Sequence, residues 1–226
     1  GLFLRSMQSA ANIDLGFRSQ GLLLMSVDPR LNGYTPEQIS RFMRELRQRV
    51  AALPGVDAAV STDVAVLSGG HRSDGFTISG SEGKDSPHAM TDLYMTTRGY
   101  FAALGIPILA GRDFANEAAN APRVAVVNKA FADTMFPGGN PIGKRVKPGI
   151  SGPWWTVVGE VGDVHFDALD QPANDAVYVP LAEFVEGKIQ AEHFVSVLVR
   201  TDRQNATMLS AVRKVVHELD PSVPTY

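Results

Sequence analysis

Residues 21–61 read GLLLMSVDPRLNGYTPEQISRFMRELRQRVAALPGVDAAVS, and two periodicities in them decide the fold. Gly21 to Asp28 is short, nearly continuous in apolar residues and closed by Asp28-Pro29, which predicts a buried strand rather than a two-turn helix. Thr35-Pro36-Glu37-Gln38 then supplies an N-cap, a proline at the first helical position and a capping-box partner. Ile39, Phe42, Met43, Leu46 and Val50 fall on one helical face, with Arg41, Arg44, Glu45 and Gln48 turned outward. Leu53-Pro54-Gly55 stops the helix, and Val56 to Ser61 predicts a second strand. Strand, crossover helix and strand make a βαβ unit.

The far end repeats this plan. Phe194 to Arg200 predicts a strand, Asn205 caps a helix with Leu209, Val212, Val216 and Leu219 on one face, and Leu219-Asp220-Pro221 ends it. Val223 is expected to begin a further extended segment. The two ends should therefore share one sheet as related βαβ units.

Between them, roughly Val64 to Glu192, short strands and tight turns alternate. Strands are expected at Phe76 to Gly80, Met90 to Thr96, Val124 to Asn128, Trp154 to Val164 and Ala176 to Val179. Short helices are expected from Arg98 to Leu104, ending at Gly105, and from Lys129 to Phe136, capped by Asn128. Val66 to Gly75 and Gly80 to Pro87, dense in Ser, Gly and charge, read as exposed loops. The fold class is α+β: a subdomain of two βαβ units with an inserted, strand-rich α+β subdomain. The middle is expected to join the sheet only through two crossings, near Asp63 to Gly70 and Val185 to His193.

The composition narrows function. The chain has 226 residues, 44% hydrophobic and 20% charged, with a formal net charge of -3, so no excess of Lys and Arg draws it to nucleic acid. It has no cysteine, which removes disulfides, thiolate metal sites and cysteine nucleophiles together. No run approaches the ~20 apolar residues that span a bilayer. The first residues, Gly1-Leu2-Phe3-Leu4-Arg5-Ser6-Met7, repeat apolar positions at helical spacing without a cap, as in a helix met part-way along.

Several motifs tempt a chemical reading. Gly138-Gly139-Asn140-Pro141-Ile142-Gly143-Lys144-Arg145 resembles a phosphate-binding loop, but Arg145 stands where a magnesium-binding hydroxyl is needed and Val146-Lys147-Pro148 cannot open the required helix. A glycine-rich turn leading into a strand fits better. Asp163, His165 and Asp167 alternate and could offer a metal two carboxylates and an imidazole, but the residues after Asp163 should leave the strand for a loop, and a solvated polar strand end is the better explanation. His71, His88, His193 and His217 are scattered, and no Gly-x-Ser-x-Gly elbow or His-Glu-x-x-His pair occurs. Of the aromatic residues that could line a cleft, Trp154-Trp155 and Tyr178, one tryptophan should be core and the other surface. The expected lists of catalytic residues, cofactor-binding residues and metal ligands are therefore empty.

Several phrases in order resemble the periplasmic core domain of ABC-transporter permeases of the MacB, FtsX and lipoprotein-releasing type. They are Asn12-Ile13-Asp14-Leu15-Gly16-Phe17, Leu53-Pro54-Gly55-Val56, Tyr100-Phe101-Ala102-Ala103-Leu104-Gly105-Ile106-Pro107 with Gly111-Arg112-Asp113-Phe114, and Val124-Ala125-Val126-Val127-Asn128. Phe136-Pro137, Pro141 to Arg145, Val157 to Val164 and Tyr178-Val179-Pro180-Leu181 complete the set. The likeness is nearest to long permeases that lack a fused ATPase.

The resemblance implies a non-catalytic domain on the periplasmic face of the bacterial inner membrane, coupling cytoplasmic ATP hydrolysis to periplasmic export or lipoprotein handling. It implies residues 1–18 as the end or stalk of a first membrane helix, 19–63 with 193–226 as a "porter" subdomain, and 64–192 as an inserted "sabre" subdomain. It further implies an ABC ATPase acting through the membrane part, a homodimer or pseudo-dimer, a possible periplasmic adaptor or substrate protein, and no cofactor. The rival readings are a periplasmic ligand-binding sensor and, less favoured, a periplasmic hydrolase with a triad assembled from distant residues.

Overall fold

The structure is a computed structural model, and it describes residues 16–27, 33–64, 73–80, 90–115, 122–149, 152–165, 173–181, 195–203 and 205–224. Strand β1 (Leu22–Val27), helix α1 (Pro36–Ala51) and strand β2 (Val56–Thr62) form where the opening stretch predicts them. At the start of α1, Thr35 Oγ1 accepts from the Gln38 amide while Gln38 Oε1 accepts from the Thr35 amide, closing both halves of the capping box. Gly55, at φ 86°, makes the turn into β2.

The βαβ unit is split. Strand β10 (Val195–Thr201) lies between β1 and β2, antiparallel to both, with Leu24 opposite Leu198 and Val60 opposite Leu198. Alternation then sorts the sheet's two faces. Leu23, Met25, Val27, Val197 and Val199 meet Phe42, Met43 and Leu46 of α1 and Met208, Val212 and Val216 of α4 (Asn205–Leu219). Leu22, Val60 and Leu198 point the other way.

The extended segment expected at Val223 is absent among the described residues. Asp220 Oδ1 accepts from both the amide and the hydroxyl of Ser222, so the chain turns, and the Val223 amide bonds back to Asp220 O. Val223 is buried against the helix-covered face. Among the described residues the second end supplies one strand and one helix, and residues 225 and 226, into which the expected extended segment would run, lie outside them.

The middle closes on itself. Strands β3 (Ser73–Ile78), β4 (Met90–Thr96), β6 (Val124–Asn128), β7 (Arg145–Pro148), β8 (Trp155–Val161) and β9 (Ala176–Pro180) pair in the cycle β4–β3–β7–β8–β6–β9, and β9 returns to β4 in parallel. Phe76, Leu93, Ala125, Val127, Val146, Trp155, Val157, Val177 and Val179 fill its interior. Helix α3 (Lys129–Met135), capped by Asn128 Oδ1 on the Phe131 amide, adds Phe131, whose ring meets Phe76 edge-on at 5.9 Å. Ser73 to Gly75, expected in a loop, pair with β4, where Ser73 Oγ donates to Asp92 at 2.6 Å.

Strand β5 (Ile108–Gly111) runs antiparallel to the end of β8 on the edge beyond β7, with Ile108 and Leu109 exposed. Gly111 faces Gly159 there, and a Cβ on Gly111 would sit 2.2 Å from Val158 O. That spacing and Gly111's φ of 71° together require glycine.

Candidate functional site: the joint between sheet and ring

Helix α2 (Tyr100–Leu104) wedges between the three-stranded sheet and the ring. Five residues make a helix here because Gly99 and Gly105 bound it in left-handed conformations and four of its side chains are buried. Phe101 meets Tyr178 of β9 edge-on at 5.0 Å, and Tyr100 lies 6.3 Å from the same ring. Asp113 fastens the far side: its carboxylate accepts from the Gly99 amide at 2.9 Å and the Phe114 amide at 2.6 Å. The Ile106 amide bonds Phe101 O, and Gly162 lies under Pro107. The phrase from Tyr100 to Phe114 is thus one folded wedge, and its glycines and acid are there for its shape.

Beside the wedge, β2 crosses to β4. Thr62 pairs with Thr96, the Asp63 carboxylate accepts from the Met95 amide at 2.8 Å, and the Asp63 amide returns to Met95 O. The Thr97 amide bonds Ser61 O, and the Leu181 amide bonds Thr96 O. The expectation of attachment through two crossings alone is corrected: strand pairing, the α2 wedge and buried polar contacts clamp the middle to the sheet. Of the crossings, 65–70 and 185–193 lie outside the described residues.

The remaining sequence candidates resolve into structure. Gly138 and Gly143 adopt positive φ, the Lys144 amide bonds Pro141 O, and the chain passes straight into β7, so the loop that follows α3 opens no second helix. Asp163 lies past the end of β8, and its Oδ1 accepts from Asn128 Nδ2 at 2.8 Å and the Ala130 amide at 2.9 Å, at the start of α3. His165 is nearby with Nδ1 buried; Asp167 lies outside the described residues, as do His71, His88 and His193. Among the described residues no three His, Cys, Asp or Glu side chains converge as a metal site.

His217 is exposed on α4. Trp155 is buried inside the ring, whereas Trp154 lies on its outside between Arg145 (5.3 Å) and Lys147 (4.9 Å). Tyr178 is buried against α2 instead of lining a cleft, and burial beside Asp163 and Asp92 pushes its hydroxyl's pKa up.

A family model of the MacB-like periplasmic core domain matches residues 3–215. The chain belongs to that family. It is the periplasmic domain of a MacB-like ABC transporter permease. Solved structures agree in fold. The periplasmic region of MacB from Actinobacillus actinomycetemcomitans is 16% identical, with 98% of this chain and 93% of that one covered at a TM-score of 0.64. The extracellular domain of the noncanonic ABC-type transporter YknZ from Gram-positive bacteria is 17% identical, with 87% and 92% covered at a TM-score of 0.55. A domain of a putative permease from Porphyromonas gingivalis is 14% identical, with 91% and 88% covered at a TM-score of 0.52. No protein of curated function matches the chain. Among the described residues no helix is long and apolar enough to cross a membrane.

The MacB-like domain also depends on residues that sequence reasoning passed over: Arg200, Asp63 and Asp113. Arg200 offers one signal, as the lone charge at the end of the predicted strand from Phe194 to Arg200. Asp113 stands out only within the phrase Gly111-Arg112-Asp113-Phe114, and neither aspartate shows its role locally, because the amides they bond lie 32 positions away for Asp63 and 14 for the Gly99 contact of Asp113.

Proposed function

We propose that this domain transmits movement and performs no chemistry, carrying the ATP-driven motion of the permease to the periplasmic side for export or the handling of a lipoprotein or other substrate. The observation that supports this reading most directly is the fastening of residues 16–21. The Arg18 amide bonds Leu104 O of α2, the Thr201 amide of β10 bonds Gly21 O, and Gly16 lies so close to Asp163 that a Cβ would sit 2.0 Å from its carbonyl oxygen. One stretch of main chain touches wedge, sheet and ring, so a displacement arriving along it reaches all three.

In this reading residues 1–18 are the end or stalk of the first membrane helix. Residues 19–63 and 193–226 form the porter-like subdomain, and 64–192 the sabre-like insertion. The ATPase acts through the membrane part, two copies or a pseudo-symmetric pair work together, and an adaptor or substrate protein meets the domain on its periplasmic surface.

The test uses the full permease with its ATPase. With no native cysteine in this domain, single cysteines are scanned along the exposed positions Arg41, Arg44 and Gln48 of α1, and pairs of subunits are reversibly cross-linked. ATP turnover should fall on locking and return on release; turnover unaffected at complete cross-linking sinks the reading. The absence of chemistry is tested by calorimetric titration with zinc and with magnesium-ATP. Submicromolar binding lost in Asp163→Ala or Lys144→Ala is the contrary result.

A further inference from the structure

Arg200 is a buried charge whose hydrogen bonds, among the described residues, all go to main-chain carbonyls. The residue is 5% exposed. Nε donates to Ala103 O at 2.7 Å and Nη2 to Arg18 O at 2.6 Å; Nη2 also reaches Ala103 O, and Nη1 donates to Gln20 O. Three separate parts of the chain meet at one guanidinium: segment 16–21, the end of α2, and the middle strand of the sheet.

The backbone is shaped for this meeting. The pairing of β10 with β2 slips between Arg200 and Thr201, a bulge of the kind that re-aims a side chain. Gly21, at φ 68°, turns the chain where any Cβ would sit 2.6 Å from Thr201 O. Gly105 ends α2 where a Cβ would sit 3.2 Å from the Arg18 side chain.

Burial lowers the guanidinium's pKa to about 10, with Arg18 acting in the same direction and Asp57 against it, which leaves it charged at neutral pH. Burying an ion that no carboxylate hydrogen-bonds is expensive, and an apolar side chain of similar volume would pack there at less cost. What the guanidinium adds is geometry. A planar fork with five donors can hold carbonyls of three residues at fixed angles, and a lysine ammonium cannot reproduce that arrangement.

We propose that Arg200 is the positioning residue that makes segment 16–21 and α2 move as one body, so that displacement of that segment is delivered to the ring through the wedge. The purpose of this joint rests on the mechanical reading above; its geometry does not.

The chain is labelled with spin probes at Ser19→Cys and Ala102→Cys, and the distance distribution between them is measured in the parent, Arg200→Lys and Arg200→Met. The proposal expects a narrow distribution in the parent and one about twofold wider in both variants, with helix and strand content unchanged by circular dichroism. A distribution as narrow in folded Arg200→Lys as in the parent overturns it. Hydrogen exchange on the unmodified chain decides the matter even if both variants unfold. Amides of residues 17–22 and 100–105 should open together, and exchange of 17–22 more than about tenfold faster than 100–105 overturns the proposal.

ATP turnover of the cross-linked full permease is read separately. A widened distribution supports the role of Arg200 whatever the turnover shows. Unaffected turnover counts only against the mechanical reading.

Discussion

The same three strands are held in opposite ways on their two faces. Toward α1 and α4 the buried side chains are almost entirely apolar: Leu23, Met25, Val27, Val197 and Val199 against Phe42, Leu46, Val212 and Val216. Toward α2 and the ring the apolar contacts are interrupted by Thr62, Asp63, Thr96, Ser196 and Arg200, all buried. Apolar burial is non-directional and yields most of the free energy. Polar contacts yield less but discriminate between arrangements, because a misplaced partner leaves a buried group unpaired. One face gives the domain its stability; the other sets how sheet, wedge and ring sit together.

The largest effect should come from the apolar face. Leu46→Ala removes a fully buried side chain from the meeting of helix and sheet and should cost ~2–5 kcal/mol in chemical denaturation. A loss under about 1 kcal/mol would mean that this face collapses readily around a cavity. The wedge comes next. Gly111→Ala forces a Cβ against Val158 O at a positive φ, and should cost ~1–3 kcal/mol in the same measurement.

On the joint face the sign can reverse. The Tyr178 hydroxyl is buried and finds no hydrogen-bond partner among the described residues. Tyr178→Phe should therefore leave stability unchanged or raise it by up to about 1 kcal/mol, and a marked loss would reveal a polar contact essential to the joint.

The smallest effect is one of pH. Partial burial, reinforced by Asp163 and Asp92, raises the pKa of Asp175, against a hydrogen bond from Thr134 that lowers it. A carboxyl whose pKa is higher folded than unfolded weakens the fold as pH rises past its unfolded value, since the unfolded chain ionises first. Asp175→Asn should flatten that part of the stability-against-pH curve measured by denaturation from pH 3 to 7. An unchanged curve would place the raised value elsewhere.

The opening stretch was legible because its signals are local. Thr35, Pro36 and Gln38 cap a helix by contacts within one turn, and the stripe from Ile39 to Val50 needs only a sheet to lie against. The second helix is less legible: Met208 and Val215 are buried where Leu209 and Leu219 lead the predicted stripe, because the neighbours packed against α4 select which face it buries. Strands β5 and β7, at four residues each, are too short for alternation to show in the sequence. The phrase from Tyr100 to Phe114 was recognisable without being explicable. Its glycines make sense only once Gly111 is seen against Val158 and Gly105 against Arg18.

By itself the sequence determined the α+β class, the capped crossover helix, most strands and, through ordered phrases, the family. Each follows from periodicity or capping within a few residues, or from a likeness that spans the chain. Tertiary structure alone decided the closing of six strands into a ring, the placing of β10 between β1 and β2, and the convergence of Arg18, Gln20, Ala103 and Arg200. The last joins residues up to 182 positions apart through main-chain carbonyls. Every residue but the arginine could be exchanged without changing the acceptors, so no side-chain pattern announces the contact.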